Sequence, residues 1–121
     1  MLERLPDLVN ADAGLVRRGR FVNTTFLIGI DDTNHLVRVV DGRVVSVTTG
    51  PFITPHYSFA MRASREAWEK FWRPQQPLGF TDIFALVKNK LMRIEGDLHP
   101  FMANLLYFKD VLASLRKEAS R

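Results

Sequence analysis

The stretch Leu91-Met92-Arg93-Ile94-Glu95-Gly96-Asp97-Leu98-His99-Pro100-Phe101-Met102-Ala103-Asn104-Leu105-Leu106-Tyr107-Phe108 changes period part-way along, and that change decides the fold. Leu91 to Glu95 reads as a strand and Gly96-Asp97 as a turn. Pro100 then reads as the entry to a last helix, since its fixed φ and missing N–H suit a first helical turn. At 3.6 residues per turn, Phe101, Leu105, Phe108, Leu112 and Leu115 form one stripe, as a core-facing helix requires. A second apolar patch is left over, made of Met102, Leu106 and Ala113 with Tyr107 further round. A helix apolar on two sides needs cover on both, and a chain of 121 residues offers one core. Three covers are open: another segment of the chain, a partner subunit, or an apolar ligand held between this helix and the sheet.

Upstream, the pattern is mostly that of strands. Pro6 to Asn10 reads as a short helix interrupted at Ala11-Asp12-Ala13-Gly14. Phe21 to Ile30 is rich in Val, Thr, Ile and Phe, and Val22, Phe26, Ile28 and Ile30 share one strand face. Asp31-Asp32-Thr33-Asn34 is a turn cluster. His35 to Val40 and Arg43 to Thr49 flank Asp41-Gly42, a pair suited to a type I′ hairpin. Tyr57 to Ala63 alternates, with Tyr57, Phe59 and Met61 on one side, so these strands predict a four-stranded meander. At Ser64 the period becomes helical: serine is a good N-cap, Glu66 suits the first turn, and Trp68, Phe71 and Trp72 are spaced i, i+3, i+4. Pro74 ends that helix. A second amphipathic segment, Thr81 to Lys88, places Phe80, Ile83, Phe84 and Val87 together. The expected class is α+β, a five-stranded, mixed, mainly antiparallel twisted sheet covered by helices, forming one domain over residues 1–121.

Composition narrows the function. There is no cysteine, which removes disulfides, thiolate zinc sites and a thiol nucleophile. No run approaches the roughly 18 apolar residues that read as a membrane span. Charge and proline interrupt Met1 to Asp7 before any apolar run, so no secretory signal is expected and the cytoplasm is the expected location. The net charge is +4. Arg17, Arg18 and Arg20, then Lys88, Lys90 and Arg93, then Arg116, Lys117 and Arg121 read chiefly as solvated faces and helix ends. Their functional reading is a weak attraction to anionic membranes. No motif or basic, aromatic-interleaved stripe points to nucleic acid. Asp31, Asp32 and His35 carry metal-ligand chemistry, but turn chemistry accounts for them, and no metal site is expected. His56 or Glu95 would have to project into a cavity for catalysis. No phosphate loop, nucleophile elbow or zinc spacing is present, so neither catalysis nor a cofactor is expected. The bulky, adaptable residues Phe59, Met61, Phe80, Phe84, Phe101 and Met102 favour an apolar pocket, to which Leu105 and Leu106 of the last helix are added.

The segment Leu91 to Asp97 with the following helix Phe101 to Leu115 resembles the C-terminal signature of the sterol carrier protein type-two family of nonspecific lipid-transfer proteins. The order of elements is similar over roughly residues 5 to 117. The resemblance implies a cavity between the sheet and the C-terminal helices that holds a fatty acyl chain, acyl-CoA or sterol-like lipid without metal or covalent chemistry. Carried over, the matching lining lies around Phe84 and along the final helix at Met102 and Leu106. Two features depart from the family's pattern: Asn89 precedes Lys90 where a glycine is common, and the Trp68 and Trp72 helix is heavier than usual. The other reading is an accessory module whose second apolar patch meets a partner subunit, a second copy included.

Overall fold

The structure is a computed structural model that describes residues 2–119, with side chains described through Lys117; Met1, Ser120 and Arg121 lie outside the described residues, and with them the last member of the third basic cluster. A single 3-10 turn, Leu2–Arg4, leads into α1 (Leu5–Asn10) and α2 (Ala13–Arg18). The interruption between the two helices falls where the sequence places it, with the Asp12 carboxylate capping α2 by accepting the Leu15 N–H at 3.1 Å. Then come β1 (Thr24–Ile30), β2 (Thr33–Val40), β3 (Arg43–Thr49) and β4 (Phe59–Ala63). Next follow α3 (Arg65–Phe71), α4 (Ile83–Lys88), β5 (Met92–Gly96), α5 (His99–Ala103), α6 (Leu105–Ala113) and α7 (Leu115–Ala119). No helix among the described residues is long and apolar enough to cross a membrane.

The five strands form one sheet in the order β3-β2-β1-β4-β5. β1, β2 and β3 are the expected antiparallel run, turned by Asp41 (φ 51°) and Gly42 (φ 79°), both with the positive φ a type I′ turn demands. The meander ends there, which corrects the sequence reading. Residues 50–58 carry the chain back past β2 and β1, and β4 joins the other side of β1 in parallel, with Leu27 opposite Ala60 and Ile28 opposite Met61. The outer edge of β3 is already occupied. The Asn10 side-chain amide donates to the Val44 carbonyl and accepts the Val44 N–H, both at 2.9 Å, and α1 lies along the strand. An edge capped in this way offers a fourth strand less of its ladder. β5 then pairs antiparallel with β4.

Alternation assigns Phe26, Ile28, Ile30, Val37, Val47, Phe59 and Met61 to one sheet face, and the helices pack on that face. Leu27 and Ala60 point the other way, yet they too are buried. The Ser64 hydroxyl accepts the Ala67 N–H at 3.1 Å and starts α3 as expected. α4 is shorter than its sequence pattern. It buries Ile83 and Leu86, and leaves Phe80, Phe84 and Val87 half-buried against the core.

The last helix is not continuous. Asn104 has φ −129° and ψ 39°, and its side-chain amide donates to the Pro100 carbonyl at 3.1 Å, so α5 ends and α6 starts on a new phase. Phe101, Phe108, Leu112 and Leu115 remain buried as the wheel requires, but Leu105 is only half-buried. Tyr107, assigned by the wheel to the surplus patch, turns inward. Its hydroxyl donates to the Gly42 carbonyl at 2.7 Å, its ring covers Gly19 where any side chain would collide, and burial pushes its pKa up to about 12.

Candidate functional site

The eight residues expected to line a cavity fall into three groups. Phe59, Met61 and Phe101 are at most 1% exposed. Phe59 stacks on Phe26 at 5.2 Å, meets Phe108 edge-on at 5.2 Å and contacts Phe101 at 5.4 Å, so the space between β1, β4 and α5–α6 is filled by rings. Phe80, Phe84 and Leu105 sit at the margin of that cluster, with Phe84 edge-on to Phe101 at 6.2 Å. Met102 and Leu106 lie on the outer side of the helices, 54% and 70% exposed.

A larger and more open cleft, lined among others by Asp31, Arg62, Lys90 and Arg93, is mostly polar, and a more enclosed cavity lies over the other half of the sheet. Ser64 starts α3 so that Arg65, Trp68, Glu69 and Trp72 recur on one side, and that side faces β1 to β3. Between them is a half-enclosed cavity of about 310 Å³. Leu2, Ile30, Trp68 and Trp72, each at most 5% exposed, and the half-buried Val47 form its base, and His35, Thr49, Arg65, Glu69 and Glu3 its polar rim. None of the eight expected residues borders it. The two indoles stack at 4.9 Å and are pinned by their own N–H groups: Trp68 donates to the Gly29 carbonyl at 2.9 Å and Trp72 to the Leu112 carbonyl at 3.0 Å. Each tie to backbone favours the present ring position over one shifted toward Val47.

At the rim, register pairs His35 with Thr49, and the imidazole Nδ1 lies 3.0 Å from the Thr49 hydroxyl. Burial, and then the Arg65 charge, hold the His35 pKa below its ordinary value, so the ring is neutral at pH 7. A pinned aromatic surface with a neutral imidazole, a hydroxyl and a guanidinium at the edge suits an apolar body with a polar end. The groups weighed for catalysis are elsewhere. His56 borders a separate cleft with Thr24, Thr25 and Ser58. Glu95 is on the far sheet face, where Arg62 at 2.6 Å and Arg93 at 3.3 Å hold it as a carboxylate with a lowered pKa. The Asp31 carboxylate accepts the Arg65 N–H at 3.1 Å, as a turn residue does, and among the described residues no three His, Asp or Glu side chains gather to hold a metal ion.

The weight of the Trp68 and Trp72 helix is visible in the sequence, but its place beside a cavity is not. Two signals could have found it: the Ser64 cap, which phases Arg65, Trp68, Glu69 and Trp72 onto one side, and the Asp41-Gly42 hairpin, whose register sets His35 beside Thr49.

No protein-family profile matches the chain, and no curated protein matches it in sequence. Solved structures do. A crystal structure of sterol carrier protein 2 superposes with a TM-score of 0.75 over 93% of this chain and 91% of that one, at 7% identity. The chain has the sterol carrier protein 2 fold. A ubiquinone synthesis protein, UbiJ-SCP2, is similar over 96% of this chain and 88% of its own, with a TM-score of 0.61 and 13% identity. The sec-alkylsulfatase Pisa1 from Pseudomonas sp. contains a similar region, covering 78% of this chain but 14% of that enzyme, with a TM-score of 0.56 and 9% identity. The sterol carrier protein 2 fold therefore occurs both as a protein of this size and within a much larger one.

Proposed function

We propose that this protein binds an apolar ligand without chemically altering it, and that the ligand's apolar part occupies the cavity between β1–β3 and α3. The observation that carries this reading is the half-enclosed cavity of about 310 Å³ beside Trp68 and Trp72, with buried apolar side chains at its base and polar groups at its rim. Its volume is at the low end of ligand pockets, which favours a short acyl chain or a small ring system over a whole sterol. Similarity to sterol carrier protein 2 supports a lipid-like ligand class. Burying ten methylenes contributes about 8 kcal/mol gross, against an association cost of at least about 4 kcal/mol, so moderate affinity is expected.

The chain's two tryptophans both border this cavity, which makes a direct test available. Titration with decanoate and with a brominated analogue should change tryptophan fluorescence saturably, and Val47→Phe, which fills the hollow, should weaken binding at least ten-fold. A flat titration, or equal binding by the Val47→Phe protein, contradicts the reading.

A further inference from the structure

The two edges of the sheet are finished differently. At β3 the Asn10 amide occupies the backbone groups of Val44, whereas β5, at the other edge, has β4 as its only strand neighbour. The direction of the β5 backbone groups follows from the ladder. The Ala63 carbonyl accepts the Asp31 N–H at 3.0 Å, so Ala63 and Met61 turn their backbone groups toward β1, and Arg62 and Ala60 turn theirs toward β5. Arg93 and Glu95, opposite Arg62 and Ala60, face β4 in return, which leaves the N–H and C=O of Met92 and Ile94 pointing out of the sheet. Among the described residues, no backbone hydrogen bond outside the ladder reaches Met92 or Ile94. Charge on a bare edge ordinarily keeps other strands away. This edge carries both signs, in order: Lys90 and Arg93 stand at its start, Glu95 and Asp97 at its end. Arg93 and Glu95 share the sheet face away from the helices, with Ile94 half-buried on the other. One Glu95 oxygen is held by Arg62 at 2.6 Å, and the second lies 3.3 Å from Arg93 of its own strand.

We propose that β5 pairs antiparallel with β5 of a second copy of this chain, about a two-fold axis through Ile94, so that one sheet runs through both copies. In that register the two Ile94 residues exchange both of their outward backbone bonds and Met92 meets Gly96 of the second copy. Arg93 then lies opposite Glu95 of the second copy on each side of the axis, and the basic start of each strand runs beside the acidic end of the other. The strand's own charges select this register. An axis at Arg93 would set two guanidinium groups face to face and an axis at Glu95 two carboxylates, and like charges directly opposite are unfavourable. Glu95 keeps its bond to Arg62 and exchanges one Arg93 for the other. No β5 residue borders the tryptophan cavity, so the pairing stands independently of what that cavity holds.

The test is sedimentation velocity of the whole chain over a range of concentrations, with two charge variants run alone and mixed. A monomer–dimer equilibrium weakened by salt is expected. Arg93→Glu and Glu95→Lys each set like charges opposite twice per dimer and should weaken self-association at least ten-fold. An equimolar mixture of the two variants restores opposite charges at both positions, and should associate at least ten-fold more tightly than either variant alone. Amide hydrogen exchange of the unsubstituted chain gives a second reading: the Ile94 N–H should gain protection as the concentration rises, while those of Arg93 and Glu95, bonded to β4, are protected throughout. A chain that stays monomeric at millimolar concentration, a dimer that persists in both variants, a mixture that associates no better than its components, or an Ile94 N–H whose exchange ignores concentration overturns the proposal.

Discussion

The helix-covered face of the sheet has two halves, both rich in aromatic rings, and only one is hollow. Over β1 and β4, the phenylalanines Phe26, Phe59, Phe101 and Phe108 carry no polar atom and settle against one another until the space is closed. Over β1 to β3, Trp68 and Trp72 are each tied to a backbone carbonyl, and the space between them and Val47 stays open. Ring count does not decide where a cavity forms.

Phe59→Ala strikes the closed half hardest. It removes the ring shared by Phe26, Phe101 and Phe108 from a fully buried position and should cost about 3–5 kcal/mol in denaturant unfolding. Its effect on decanoate binding, measured where the protein is still folded, should be small, and a loss of binding as large as that of Val47→Phe would move the ligand to the phenylalanine half. Tyr107→Phe comes next. It leaves the buried Gly42 carbonyl without its donor, and unfolding should be easier by about 1–2 kcal/mol. Trp72→Phe acts on the hollow half: loss of the bond to the Leu112 carbonyl should cost about as much, and the freed ring should close part of the cavity and weaken ligand binding. Unchanged affinity would mean the indole tie does not hold the hollow open.

The smallest effect is one of pH. With His35 held below 6.5 by burial and by Arg65, the unfolded chain binds the proton more readily. The His35 contribution to stability is therefore complete above pH 6.5, declines as the pH falls through that value, and levels off below the folded pKa. A histidine NMR titration should place its midpoint below 6.5 and lower still when an uncharged apolar ligand fills the cavity; a midpoint at or above 6.5 removes burial as the dominant influence.

Local signals in the sequence carried far. Asp41-Gly42 made the hairpin legible, Ser64 marked α3, and Gly96-Asp97 with Pro100 marked the passage from strand to helix. Pairing across distance was less visible: nothing local in Tyr57 to Ala63 says that β4 joins β1 in parallel, because that follows from the capped edge of β3. The helical wheel failed at one residue. Asn104 shifts the phase, so Tyr107 becomes core while Met102 and Leu106 stay outside. The cavity was hidden for a different reason. A void is the absence of a neighbour beside Trp72 and Val47, and sequence periodicity reports which residues face inward, not whether they meet.

The most direct test of the two-halves account is an NMR experiment with isotope-labelled decanoate bound to the protein, reading which ring protons lie close to the ligand's methylenes. Contacts to the indoles of Trp68 and Trp72 are expected. Contacts to Phe59, Phe84 and Phe101 instead would contradict that expectation, placing the ligand in the closed, phenylalanine-filled half.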